Sequence, residues 1–199
     1  MAYNFVMDIR KALGSDIEEI WSIYQKVKLD RSRLGDSEYE TEIQRKGFLI
    51  GLDSKADIAN QINNSWLFLV AEENKKIVGY TVLEKNREYK DDEYKTWFDL
   101  SLKDIYYSSP KILAIMSLAV DPDHFGKGVA SGLFQHLEKA ARSSGIEYLF
   151  TVITISPVTN CPMISWRTKV GFKRLAMGKP RKELFGLKWY SSLLMYKQL

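Results

Sequence analysis

The chain has 199 residues, of which 45% are hydrophobic, 13% aromatic and 27% charged, with a net charge of +4. That length accommodates one sizeable core, and the composition excludes a disordered or fibrous chain. A single cysteine, Cys161, excludes an intramolecular disulfide and a cysteine-built zinc site, while only two histidines, His124 and His136, argue against a metal enzyme.

The opening run MAYNFVMDIRKALG is interrupted by Asp8 and Arg10, so it lacks the apolar core of a secretory signal. No apolar stretch approaches the ~20 residues that cross a bilayer, and a cytoplasmic protein is expected. Residues 5–12 read as a first strand. Ser15 and Glu18 have the S-x-x-E spacing of a capping box, opening a helix with Ile17, Ile20, Trp21, Tyr24 and Val27 along one face. Residues 31–52 are polar and carry no clear period. A second helix is expected over 53–64, with Ala56, Ala59 and Ile62 inward.

The runs WLFLVA and IVGYTVL, separated by a polar turn, predict an antiparallel hairpin. Residues 84–110 are rich in charge and tyrosine and read as an insertion or lid with a short helix. As an acceptor lid its Asp91, Asp92, Glu93, Asp99 and Asp104 would attract a cationic amine; a solvated loop with a few anchoring aromatics fits the same residues equally well. KILAIMSLAV is apolar at alternate and intervening positions alike, as a strand buried on both faces is. Ala130, Leu133, Phe134, Leu137 and Ala140 mark the next helix, and YLFTVITI the next strand, making a βαβ unit. A short helix over 162–170 and strands over 172–177 and 188–198 follow. Lys179, Pro180, Arg181 and Lys182 read as a turn between those last strands. The expected fold is a mixed α/β sheet within one domain, 1–199.

The chemistry concentrates in LAVDPDHFGKGVASGLF, residues 118–134, where two glycines flank Lys127 as a strand gives way to a helix. The first amides of a helix lack intrahelical partners and carry partial positive charge, so glycines that let an anion approach them suit a phosphate. A tight turn without a ligand uses the same residues. A Walker loop is excluded because Gly128 follows Lys127, and the dinucleotide fingerprint because Ser131 stands where its third glycine belongs.

The segment resembles motif A of the GNAT superfamily of N-acetyltransferases through Leu118, Val120, Pro122, Gly126, Gly128 and Ala130. The likeness continues in Asn160, Lys169, Gly171 and Phe172, and upstream in IRKALGSDIEEI. It implies a GNAT-like acyltransferase fold, a central, mostly antiparallel twisted sheet flanked by helices. It also implies acetyl-CoA as cosubstrate, no metal, and an amine acceptor that is a small molecule or a peptide. The diphosphate would lie on the amides of Phe125, Gly126, Lys127, Gly128, Val129, Ala130 and Ser131. The pantetheine arm would run along Leu118, Ala119 and Val120 and bond Asn160. An amide near Leu118 or Ala119 would hold the thioester carbonyl.

Three features depart from the family pattern. Phe125 stands where an Arg or Gln is usual, with Lys127 and the basic C-terminal segment as compensation. Arg167 stands where many members carry a general-acid tyrosine, and a solvent-facing guanidinium is expected there. Met116 and Ser117 occupy a site where members often hold a carboxylate base. Candidates for the missing catalytic roles are Glu84, Tyr190 and Arg167, with Glu72 and Glu73 as further carboxylates and Tyr196, Ser165 and Thr168 as further hydroxyls. His124 reads as an exposed loop residue, His136 as a boundary residue and Cys161 as inert. A non-catalytic acyl-CoA-binding module remains the alternative function. Nucleic-acid binding through the basic C-terminal face lacks a recognisable motif, and a homodimer stays open.

Overall fold

The computed structural model describes residues 7–85 and 94–199. In chain order the elements are β1 (Asp8–Lys11), α1 (Ile17–Val27), α2 (Ser37–Lys46), α3 (Lys55–Asn64), β2 (Leu67–Glu73) and β3 (Lys76–Lys85). Then come β4 (Tyr94–Trp97), α4 (Lys103–Ser108), β5 (Ile112–Val120), α5 (Val129–Ser143) and β6 (Tyr148–Ser156). The chain ends with α6 (Cys161–Lys169), β7 (Lys173–Gly178), β8 (Arg181–Leu184) and β9 (Leu187–Gln198). These elements form two compact units, one from Met1–Lys28, Gly51–Glu84 and Ile115–Gly145, the other from Leu29–Ile50, Lys85–Ala114 and Ile146–Leu199.

In the first unit β1, β2 and β3 pair antiparallel and in sequence, and β5 follows β3. The expected hairpin is present. Asn74 and Lys75 form its two-residue turn with φ of 51° and 63°, the left-handed pair whose twist matches that of the strands. Helix α5 lies on β1 and β2, and α1 packs with α3. The buried face of α1 is Ile20, Ile23 and Tyr24, each contributing about 1.5–3 kcal/mol if fully removed from water. Of the predicted stripe, Ile17, Trp21 and Val27 are half-buried, and Ile23 was not anticipated. In α3 the buried residue is Ile58, and Ala56 is exposed, contrary to its inward assignment.

The capping box expected from Ser15 and Glu18 is replaced by another. Asp16 accepts from the Leu13 amide at 2.8 Å and ends a short 3₁₀ turn before α1. It wins because Arg10 reaches it in a fork, Nη1 to Oδ2 at 2.8 Å and Nη2 to Oδ1 at 3.0 Å, while Arg10 Nε donates to Glu72 at 2.9 Å. The Arg10 hydrogen bonds hold the Asp16 carboxyl below its ordinary range, against the opposing effect of burial. A folded-state value below the unfolded one gives stability that is full above the unfolded pKa and lost as pH falls through the folded one. Arg10→Met is therefore expected to cost about 2 kcal/mol at neutral pH, and less in acid once Asp16 is protonated in both states. Urea unfolding of both proteins across a pH series measures this; a gap that stays constant with pH would contradict it.

In the second unit the strand order is β6, β9, β7, β4, with β8 also on β9, and every one of these pairs is antiparallel. Residues 31–52, which showed no period, hold a 3₁₀ turn at Arg31–Arg33 and helix α2. Asp36 caps α2 by accepting from the amides of Glu38 and Tyr39 at 3.0 and 3.1 Å. Leu29, Tyr39, Ile43, Phe48, Val158, Leu187 and Tyr190 close one core around it.

Part of the expected insertion belongs to the sheet, and its short helix is α4. Tyr94–Trp97 form β4 on β7, and Tyr94, Tyr106, Ile112, Phe150, Leu175 and Leu194 build a second core. Its tyrosines pack edge to face, as the 5.7 Å centroid separation of Tyr94 and Tyr106 shows, with their hydroxyls 2.9 Å apart. Asp99 caps the following 3₁₀ turn. Asp91, Asp92 and Glu93, proposed to attract an amine, lie outside the described residues, as does Phe5 of the expected first strand. The turn foreseen over 179–182 is shorter, since Arg181 and Lys182 already belong to β8.

Candidate functional site

Strand β5 delivers Leu118, Ala119 and Val120, all buried, to a bend stabilised at each step. The Asp121 amide bonds the Val78 carbonyl on β3 at 2.9 Å, and its Oδ1 accepts from the Asp123 amide at 3.1 Å. A 3₁₀ turn, Pro122–His124, follows before the glycines. Phe125 and Lys127 spend their amides on Pro122 and His124 carbonyls at 3.2 and 3.3 Å. Gly126 and Gly128 both take left-handed φ, +78° and +84°, which glycine adopts without penalty.

Gly128 is the N-cap of α5 and the helix has no side-chain cap. The amides of Val129, Ala130 and Ser131, the first three residues of α5, have no intrahelical acceptor by helix geometry. Among the described residues, those of Gly126 and Gly128 have none either. A Cβ on Gly126 or Gly128 would meet nothing within 4 Å, so both face open space. Phe125, Gly126, Lys127 and Gly128 are exposed, Ala130 and Ser131 half-buried, and Val129 is buried against the sheet. The unit thus presents a cluster of unspent donors at a positive helix end beside an exposed lysine. That arrangement can hold a diphosphate.

Two further side chains support this bend, and the sequence reading assigned neither its role. Lys26 on α1 pairs with Asp121 at 2.6 Å. His124, read as an exposed loop residue, is instead largely buried, its Nε2 2.9 Å from Glu73 Oε2. Glu72 pairs with Arg10 and Glu73 is hydrogen-bonded to His124, so two of the three carboxylates weighed as bases already have structural partners. No local signal announces such pairs, whose members stand 51 to 95 residues apart.

In the second unit Asn160 is buried and caps α6. Its Oδ1 accepts from the Met163 amide at 3.4 Å, and Nδ2 donates to the Phe48 carbonyl at 2.8 Å. One Nδ2 hydrogen is left for another acceptor. Arg167 overturns the solvent-facing expectation, being 2% exposed. Its guanidinium carbon lies 5.0 Å from the Trp166 ring centroid and 5.1 Å from that of Phe172. Burial pushes its pKa down to about 9, which still leaves it cationic at neutral pH. A helix with Trp166 half-buried and Arg167 buried reverses the usual order because the aromatic rings sheathe the cation.

Tyr190 is buried, and burial pushes its phenol up, partly offset by side-chain hydrogen bonding with Thr154 and Ser192. Glu84 lies half-buried near the end of β3. His136 is exposed, with Nδ1 3.1 Å from the Gly132 carbonyl, and Cys161 is exposed at the start of α6. Among the described residues no three His, Cys, Asp or Glu side chains gather as metal ligands, and no helix is long and apolar enough to cross a membrane.

Solved structures resemble the chain over nearly its whole length. The ribosomal-protein-S18-alanine N-acetyltransferase of Escherichia coli superposes with a TM-score of 0.64 at 14% identity, covering 97% of this chain and 94% of that one. An N-acetyltransferase from Staphylococcus aureus gives 0.62 at 20% identity, covering 96% and 98%. The PaiA N-acetyltransferase of Thermoplasma acidophilum, solved in complex with coenzyme A, gives 0.61 at 18% identity, covering 97% and 99%. These likenesses show the fold, a mixed α/β architecture with a mostly antiparallel sheet flanked by helices. No curated protein sequence matches. The model of the Acetyltransferase (GNAT) family matches residues 21–172, which include β5, the glycine bend, Asn160 and Gly171, and the chain belongs to that family.

Proposed function

We propose that the protein transfers an acetyl group from acetyl-CoA to the nitrogen of an amine, by direct attack on the thioester. The glycine bend carries this reading: left-handed Gly126 and Gly128, with open space where a Cβ would stand, lead into the unspent amides of a helix that has no side-chain cap. In it the diphosphate rests on the amides of Gly126, Gly128, Val129, Ala130 and Ser131, with Phe125 and Lys127 at the rim. The pantetheine arm follows Leu118, Ala119 and Val120 on β5, and Asn160 offers its remaining amide hydrogen.

The acceptor must first lose a proton, since an alkylamine has a pKa near ~10. Its nitrogen lone pair then adds to the carbonyl carbon, the carbon–sulfur bond breaks, and the thiolate leaves to be protonated. Backbone N–H groups at the carbonyl oxygen would lower the barrier, typically by about 3 kcal/mol per donor. Glu84 is the candidate to receive the amine proton and Tyr190 to supply the thiolate's. The Arg167 cation is the candidate to stabilise the thiolate without giving up a proton.

The family's tyrosine position holding a buried arginine favours a second reading, an acyl-CoA-binding module without turnover. Incubation with acetyl-CoA and a panel of small amines and peptides, followed by free thiol, separates the two. Thiol release that requires an amine is expected. Coenzyme binding with no release from any amine would support the binding module instead.

A further inference from the structure

The glycine bend raises an electrostatic puzzle. A loop suited to a diphosphate is flanked by carboxylates, Asp121 at its start and Glu73 at the tip of the neighbouring hairpin. Negative charge there opposes a polyanionic ligand, so each carboxylate needs a compensating role. Asp121 has one, tying the bend to Lys26 on α1 and to the Asp123 amide.

Glu73 has the other. It is the last residue of β2, next to the Asn74–Lys75 turn, and its carboxylate meets His124 Nε2 at 2.9 Å. The two side chains are only 17% and 20% exposed. Because a carboxylate accepts, Nε2 carries the hydrogen and donates it. His124 also fixes the turn two residues before the first of the bend's glycines: its amide bonds the Asp121 carbonyl at 2.8 Å, and its own carbonyl takes the Lys127 amide at 3.3 Å. Beyond it, Gly126 and Gly128 have no side chain to hold them and nothing packed on the position a Cβ would take. A pair of glycines loses the most conformational freedom on ordering, so a fixed neighbour determines how well the amides are aimed before a ligand arrives.

We infer that the His124–Glu73 hydrogen bond is a positioning device for coenzyme binding, locking the peptide that leads into Gly126 and Gly128 so that their amides converge on the diphosphate. The inference rests on the coenzyme reading of the bend and adds residues that touch no part of the ligand. Its sign is unusual. A carboxylate that merely sits near a phosphate weakens binding, so removing it tightens binding; a carboxylate that holds the bend in place has the opposite effect.

The test uses the full chain with CoA and with pantetheine, which lacks the diphosphate, as probes in an NMR titration. Wild type is expected to prefer CoA strongly. Glu73→Ala and His124→Ala should each weaken CoA about tenfold while leaving pantetheine within about twofold, and the double variant should lose no more than either single one. His124→Gln, whose amide can still donate to Glu73, should recover most of the loss. Should His124→Ala fail to fold, Glu73→Ala, altered at the end of a hairpin strand, carries the test alone. Tighter CoA binding by Glu73→Ala, or an unchanged preference in both variants, would overturn the positioning role while leaving the coenzyme site standing. A wild type that binds CoA no better than pantetheine would overturn both.

Discussion

Gly128→Asp is expected to abolish measurable CoA binding and leave the fold intact. Gly128 has φ +84°, and a side chain there would project into open space rather than into neighbouring atoms. Aspartate is among the residues that tolerate the left-handed region, and a carboxylate at a helix start is favourable in its own right. The left-handed backbone should therefore cost no more than about 1 kcal/mol of stability. The same carboxylate would occupy the donors that the diphosphate needs and would repel it. Two unit charges about 4 Å apart interact by roughly 4 kcal/mol at an effective dielectric of 20, which corresponds to about a thousandfold loss of affinity. Gly128→Ala separates the causes, since it brings backbone strain without charge and should weaken CoA by about tenfold. Calorimetry with CoA, beside circular dichroism of each variant, reads both effects. Unchanged affinity in Gly128→Asp would remove the main support for the proposed function.

Gly79→Val is the second large effect, and it acts on stability first. Gly79 lies in the middle of β3, where a Cβ would sit 2.8 Å from Val129 Cγ1 and 2.9 Å from the Ala119 carbonyl oxygen, with Leu133 Cδ1 at 3.3 Å. One of these is backbone and the other two belong to buried residues of α5. Nothing there can rotate away at low cost, so the helix must move off the sheet. Overpacking of this kind costs about 3 kcal/mol, or roughly 6–12 °C in midpoint for a chain of this size. Val129 opens α5 directly after the glycine bend, so the displacement reaches the amides proposed to hold the diphosphate. The variant should lose coenzyme affinity beyond what partial unfolding explains. A thermal scan together with a CoA titration far below the midpoint checks this. A variant as stable as wild type would mean that α5 is not seated on Gly79 as described.

The two variants mark where local reading succeeds. Gly126 and Gly128 were legible because a left-handed bend entering a helix imposes glycine at short spacing, whatever the rest of the chain does. The hairpin was legible for the same reason, as its two apolar runs and polar turn are neighbours in sequence. Helix α2 was not, because its apolar residues number only two, Tyr39 and Ile43, and their burial depends on Phe48, Val158, Leu187 and Tyr190. The helix-opening box assigned to Ser15 and Glu18 failed because Arg10 draws Asp16 into the capping role.

By itself the sequence indicated the class of fold and the position of the bend, through periodicity and turn chemistry over a few residues. The family came from the resemblance carried by Gly126, Gly128, Asn160 and Gly171 and from the family model that matches residues 21–172. Only the tertiary structure decided which charged groups are structural. Lys26 finds Asp121 across 95 residues, His124 finds Glu73 across 51, and Asn160 reaches the Phe48 carbonyl across 112. It alone placed Arg167 inside its unit between Trp166 and Phe172 rather than in solvent. The physical reason is range: a turn is dictated by the dihedral limits of the residues within it, whereas an ion pair or a buried cation depends on which distant segment folding brings within about 4 Å.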